Sequence, residues 1–92
     1  MSGIDKNATI VDVRSPAEYS LEHVPGAINI PLEQVAARIA EFKIMPKPVI
    51  VYCRSGFRSG TALSILKQHG VTEAVDGGGI LEMLKRTAKK SV

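Results

Sequence analysis

Cys53 is the only thiol in the 92-residue chain, and Arg54-Ser55-Gly56-Phe57-Arg58-Ser59 follow it directly. Val49-Ile50-Val51-Tyr52 precedes it as a continuous apolar run, and helical spacing resumes at about Ser59. A thiol between a strand and a helix has nucleophilic chemistry available to it. The helix N-terminus presents unpaired backbone N–H groups and partial positive charge. A tight loop wound in front of it turns further N–H groups inward as an anion nest. Gly56 supplies the backbone freedom for that winding. Arg54 and Arg58 add full positive charges. All of these favour the thiolate, so the Cys53 pKa is predicted to lie below the reference of about 8.5. The same nest suits an anion bound or attached to the sulfur.

Each residue also has a plainer reading. Cys53 fits a small buried core position. Arg54 fits a charge on the loop rim, and Arg58 an ion pair with Asp12 or Glu18. Phe57 fits packing under the loop. Ser59 and Thr61 fit caps on first-turn N–H groups, with a bond from Ser59 to the sulfur as the other use. Cys53 follows its apolar run directly and has Arg54 and Ser55 beside it, which favours the chemical reading.

The elements that must hold this loop are legible as an alternation. Thr9-Ile10-Val11-Asp12-Val13 is β-branched and reads as a strand. Ser15-Pro16-Ala17-Glu18 has the S-x-x-E form of a capping box with Pro at the first helical position, so a short helix is predicted from Pro16. Val24-Pro25-Gly26 breaks it, and Ala27-Ile28-Asn29-Ile30 reads as a second short strand. Leu32, Val35, Ala36, Ile39 and Ala40 have the spacing of one amphipathic helix, stopped by Met45-Pro46-Lys47-Pro48. The run at Val49–Tyr52 lacks alternation and suits a central parallel strand covered on both faces. The helix from Ser59 to His69 turns Ala62, Ile65 and Leu66 inward and ends at Gly70. Glu73-Ala74-Val75 is a last strand. Gly77-Gly78-Gly79 is a turn before a terminal helix whose Ile80, Leu81 and Leu84 face the core. This order predicts an α/β fold, with a small parallel sheet of four to five strands and helices on both faces. Open sheets of this kind place ligands beyond the carboxyl ends of their strands, where Cys53 stands.

Composition narrows the function classes. The length suits one domain spanning 1–92. Hydrophobic content of 45% and charged content of 23% exclude a disordered tail, a collagen-like chain and a disulfide scaffold. No apolar run approaches the ~20 residues of a membrane span. Met1 to Lys6 lacks the apolar stretch of a secretory signal. With a lone cysteine, this predicts the cytoplasm, or the periplasm after removal of a signal. Net charge is +3, and residues 47–92 carry eight basic against three acidic residues. Four of those cations, Lys85, Arg86, Lys89 and Lys90, fall near a helix C-terminus and complement its dipole, so nucleic acid is not the expected partner. Two histidines and one cysteine show no metal-ligand spacing.

Taken together, three segments resemble the rhodanese (thiosulfate sulfurtransferase) family, in its minimal single-domain bacterial form. Tyr52 to Gly60 is similar to its active-site loop. Asp12-Val13-Arg14-Ser15-Pro16-Ala17-Glu18-Tyr19 and His23-Val24-Pro25-Gly26-Ala27-Ile28-Asn29-Ile30-Pro31 are similar to its two upstream motifs. Gly77-Gly78-Gly79 matches the glycines before its last helix. The resemblance runs from about Ile10 to Leu84 and implies a rhodanese-like fold. It also implies that Cys53 takes a sulfane sulfur from thiosulfate as a persulfide and passes it to cyanide or a thiol, including a protein thiol. Arg54, Ser55, Gly56, Phe57, Arg58 and Ser59 would then bind the persulfide and the donor. No cofactor and no metal are implied, and the expected form is a monomer. His23 and the Asp12–Arg14 pair are expected to be structural, and His69 an ordinary surface residue. The chain departs from the family pattern at Glu22, where Gly is usual, at Met83, where Trp is common, and in its short N-terminus.

Two other functions compete. Cysteine-based phosphatases and arsenate reductases share this architecture, but the related phosphatase loop is Cys-x5-Arg, whereas here Arg58 closes a tighter Cys53-x4-Arg58 loop. A docking or regulatory domain on the same scaffold often lacks the cysteine that this chain keeps.

Overall fold

In the computed structural model, which describes residues 7–88, four parallel strands stand in the order β2-β1-β3-β4. In chain order the elements are β1 (Thr9–Asp12), α1 (Pro16–Leu21), β2 (Ile28–Asn29), two 3₁₀ turns (Leu32–Gln34 and Ala36–Arg38), α2 (Ile39–Ile44), β3 (Val49–Cys53), α3 (Phe57–Gln68), β4 (Ala74–Gly79) and α4 (Ile80–Ala88). Met1 to Lys6, Lys89 and Lys90 lie outside the described residues.

The sheet is covered on both faces, and the side chains of β3 show how. Val49, Val51 and Cys53 pack on one side with Phe42, Ala62 and Leu66. Ile50 and Tyr52 pack on the other with Val24, Ile80 and Met83. All five residues of β3 are buried, which is why the strand reads as an unbroken apolar run. The capping box forms as predicted: the Glu18 N–H donates to Ser15 Oγ, and the Ser15 N–H donates to Glu18 Oε1. Lys85 and Arg86 fall in the last turn of α4.

Four local expectations need correction. The helix predicted from Leu32 is two 3₁₀ turns followed by a short α-helix, and Ala36 and Ala40 are exposed. Val35 and Phe42 set its phase, because a buried Val or Phe gains more apolar area than an alanine methyl. In α4, Leu81 is 70% exposed and Met83 takes the core position instead. The inward stripe is Ile80, Met83 and Leu84, at i, i+3 and i+4. α3 begins at Phe57, two residues before the predicted start, with Gly56 as its cap. The three glycines belong to β4 rather than to a separate turn. Asp76 pairs with Val51 and Gly78 with Tyr52, so Gly77 is the extra residue of a bulge.

Behind the strand ends lies a buried polar cluster. Arg14 Nε and Nη2 both donate to the Asp12 carboxylate, the closer contact being 2.7 Å. The Tyr52 hydroxyl donates to Asp12 Oδ2 at 2.8 Å and accepts the Val24 N–H at 3.0 Å. Burial holds the Tyr52 phenol above its ordinary pKa, so it remains a donor. The cluster ties β1, β3 and the loop before β2 together at the carboxyl ends of the strands. This bears out the structural reading of Asp12 and Arg14. His23 stacks on Tyr19 with ring centroids 3.8 Å apart, and its Nδ1 lies 2.8 Å from the Tyr19 carbonyl. These contacts support its structural reading too.

Candidate active site

Cys53 closes β3, and after three intervening residues α3 begins at Phe57. The chain turns through Gly56 at φ +100°, a conformation that costs a side-chain-bearing residue energy and costs glycine none. No side chain caps α3. The sulfur takes that place. The Gly56 N–H donates to Cys53 Sγ at 3.0 Å and the Ser59 N–H at 3.3 Å. The sulfur is therefore the acceptor for helix-end donors that would otherwise be unpaired. Burial pushes the thiol pKa up, but the hydrogen bonds at Ser59 and from the Gly56 and Ser55 N–H groups outweigh it, and the net direction is down. Cys53 is only 1% exposed, so it is both a core residue and a residue with an activated thiol.

The remaining loop residues divide by position. Arg54 and Ser55 are exposed at the mouth, and Arg54 lines a cleft of about 370 Å³ with Arg14, Glu22, Leu21 and Leu81. Phe57 is 83% exposed and does not pack under the loop. Arg58 forms the pairing weighed against its anion role: Nη1 lies 2.8 Å from Glu18 Oε1 and Nη2 3.1 Å from Oε2. The bond to Glu18 raises the Arg58 pKa, with a smaller upward contribution from the charge of Cys53, while the guanidinium is tied to α1. Ser59 is buried in the first turn of α3 and its hydroxyl caps no N–H. It approaches Cys53 Sγ at 3.6 Å and donates to Asp76 Oδ1 at 2.7 Å. Thr61 donates to the Phe57 carbonyl and caps nothing either.

Sequence reading overlooked two residues here. Tyr52 stands in the sequence reading as the end of a strand and the start of the loop resemblance, with no role for its hydroxyl, and Asp76 has no place in it. A signal for Asp76 was present: Asp before glycines is an Asx-turn pattern, and Asp76 Oδ1 accepts the Gly78 N–H at 2.8 Å. Of the departures, Met83 fills the core at 0% exposure, and Glu22 supplies a backbone carbonyl to Arg14 Nη2 at 2.6 Å.

The description "Rhodanese-like domain" belongs to the family that matches residues 2–81. The chain belongs to the rhodanese-like family. It is 43% identical over 74 residues to thiosulfate sulfurtransferase PspE of Escherichia coli, covering 79% of this chain and 71% of that one. It is 40% identical over 78 residues to a thiosulfate:glutathione sulfurtransferase of Saccharomyces cerevisiae, covering 72% of this chain and 56% of that one. A solved structure of an E. coli rhodanese with anions superposes with a TM-score of 0.75 at 43% identity, over 82% of this chain and 89% of that one. These rhodanese relatives support sulfur transfer as the reaction class. Among the described residues, no helix is long and apolar enough to cross a membrane.

The Glu18–Arg58 clamp carries a pH prediction. The Arg58 bond holds the Glu18 carboxyl down to about 2, from an ordinary 4.5. A carboxylate lowered in the folded state stabilises the fold above its unfolded pKa, and that contribution is lost as pH falls toward the folded value. The stabilisation is therefore complete above about 4.5 and fades toward about 2. Glu18→Gln is expected to flatten that part of the acid-unfolding curve, followed by circular dichroism, and to leave the slope above it unchanged. An identical acid limb in both proteins would show that the clamp adds no stability.

Proposed function

We propose that this protein takes a sulfane sulfur from thiosulfate onto Cys53 and delivers it to a thiol acceptor, with cyanide as an assay substitute. The observation that carries this reading is the buried Cys53 sulfur held by the Gly56 and Ser59 N–H groups at the head of α3. The thiolate attacks the outer sulfur of thiosulfate. The S–S bond breaks, sulfite leaves with the electron pair, and Cys53 carries a persulfide. An acceptor thiolate then attacks the terminal sulfur, and the Cys53 thiolate departs into the same N–H groups that stabilised it. This is two-step covalent catalysis, and the donors act without reorganisation. Arg54, at the open mouth, attracts the dianionic donor, while Arg58 adds positive charge from its place on Glu18. Ser55, Gly56, Phe57 and Ser59 complete the site, with backbone N–H groups around the sulfur and the Phe57 ring at the rim.

Leu21 and Leu81 flank Arg54 in the cleft beside the loop. An apolar rim of this kind suits a protein-borne or peptide-borne thiol. The working form proposed is a monomer of one domain in a reducing compartment. The phosphatase and arsenate-reductase reading needs an arginine free to grip an oxyanion, and the Glu18 clamp on Arg58 weighs against it. A purely docking role leaves the activated thiol without a use.

Intact mass spectrometry tests the reading. Incubation with thiosulfate is expected to add the mass of one sulfur atom to the chain, and a dithiol to remove it. A protein that stays unmodified by thiosulfate yet hydrolyses an aryl phosphate would overturn it.

A further inference from the structure

The Ser59 hydroxyl has one proton and three neighbours able to take it. Oγ lies 2.7 Å from Asp76 Oδ1, 3.1 Å from the Gly56 carbonyl oxygen and 3.6 Å from Cys53 Sγ. Asp76 stands on β4, a different element from the loop, and it is exposed while the thiol is enclosed. The Gly78 N–H donates to the same Oδ1 at 2.8 Å and fixes the carboxylate in place. A bond to a carboxylate is stronger than one to a carbonyl or a sulfur. The hydroxyl proton therefore points at Asp76, and Oγ turns a lone pair toward Cys53. That arrangement suits a thiol, which donates its S–H to Oγ. It suits a thiolate poorly, because the thiolate needs the hydroxyl proton for itself.

We propose that Asp76 is a positioning residue that governs the ionisation of Cys53 through Ser59, because carboxylate and thiolate compete for one hydroxyl proton. The proposal rests on Cys53 as the sulfur-carrying nucleophile and adds a restraint on it. The proton balance closes without a co-reactant. When Cys53 ionises its proton leaves to solvent, and the Ser59 hydroxyl proton turns from Asp76 Oδ1 toward the thiolate. The other charged groups around the thiol come from separate elements. Arg58 of α3 is held by Glu18 of α1, Asp12 at the end of β1 is paired with Arg14 just beyond it, and Arg54 lies on the exposed loop. Among the described residues, Asp76 is the carboxylate joined to the sulfur through a hydrogen-bond chain.

The test is the pH dependence of Cys53 alkylation by iodoacetamide, which needs no sulfur donor. Asp76→Asn keeps Oδ1 for the Gly78 N–H and removes the charge that holds the Ser59 proton. Its alkylation midpoint is expected to fall by roughly half a unit to one unit, as when a like charge is withdrawn from an acid. In a Ser59→Ala background the same substitution is expected to give less than half that shift. Asp76→Ala is a second variant with the same expected direction, so that a folding defect in one leaves the other to decide. An unchanged or raised midpoint overturns the proposal. So does an equal shift with and without the Ser59 hydroxyl, since the charge would then act through space alone. Thiosulfate loading of the wild type is measured in parallel. If loading fails while the midpoint still shifts, the sulfur-transfer reading falls and the control of the thiol by Asp76 stands.

Discussion

Cys53→Ala is expected to reduce thiosulfate-to-cyanide transfer to the uncatalysed background. The chain has no second cysteine to receive the sulfur, so the covalent route has no detour within it. The folded state should persist. The substitution removes one buried sulfur and leaves the Gly56 and Ser59 N–H groups without their acceptor. A lost acceptor for a buried donor costs about 1–3 kcal/mol. Water entering at the exposed Arg54-Ser55 side can recover part of that. A modest fall in melting temperature with complete loss of transfer is the expected pair of results, read by thermal circular dichroism and a thiocyanate assay. A folded Cys53→Ala protein that still transfers sulfur would remove Cys53 from the mechanism, and with it the proposed function.

Gly79→Ala is expected to lower transfer about a hundred-fold, comparable to losing one oxyanion-hole donor. A Cβ at Gly79 would come within 2.7 Å of the Arg54 carbonyl oxygen and 3.4 Å of Ser55 Cα. Both are backbone atoms of the loop, so no side-chain rotation relieves the contact. The Arg54–Ser55 peptide must shift, and it leads directly into the N–H groups aimed at the sulfur. Overpacking of this kind costs about 1–3 kcal/mol of stability, so a control has to separate lost geometry from lost fold. Gly26→Ala provides it. Gly26 has φ +86°, which strains an alanine, but its Cβ would meet nothing within 4 Å. The two variants are expected to lose comparable stability, while only Gly79→Ala loses transfer by this margin. Transfer by Gly79→Ala within about three-fold of wild type would mean that the loop does not depend on its seat against β4.

The resemblance to a family was legible because its signals are local. Ser15 and Glu18 cap α1 through neighbours three residues apart. Cys53, Gly56 and Ser59 lie within one turn of loop and helix, so spacing alone placed N–H groups near the sulfur. The unbroken run Val49–Tyr52 announced a strand buried on both faces, and four parallel strands with helices on either side followed from the alternation of elements. Burial on two faces and capping both write themselves into short windows of sequence, because the residues that satisfy them are close along the chain.

Long-range packing and pairing decided the rest. The sequence reading placed Leu81 inward and took Met83 only as a departure from the family pattern, whereas packing of α4 on the sheet buries Met83 and exposes Leu81. Sequence gave Arg58 two candidate carboxylates, and the approach of α1 to α3 chose Glu18 across 40 positions of chain. The same holds for Tyr52, whose hydroxyl meets Asp12 from 40 residues away. Asp76 meets Ser59 because β4, with its bulge at Gly77, lies against the first turn of α3. A hydrogen bond requires a separation of about 3 Å. Only the assembled sheet sets such a distance between elements that the chain itself keeps far apart. The thiol and its N–H groups were thus written into one stretch of sequence, whereas the carboxylates that clamp Arg58 and hold Ser59 were supplied by the fold.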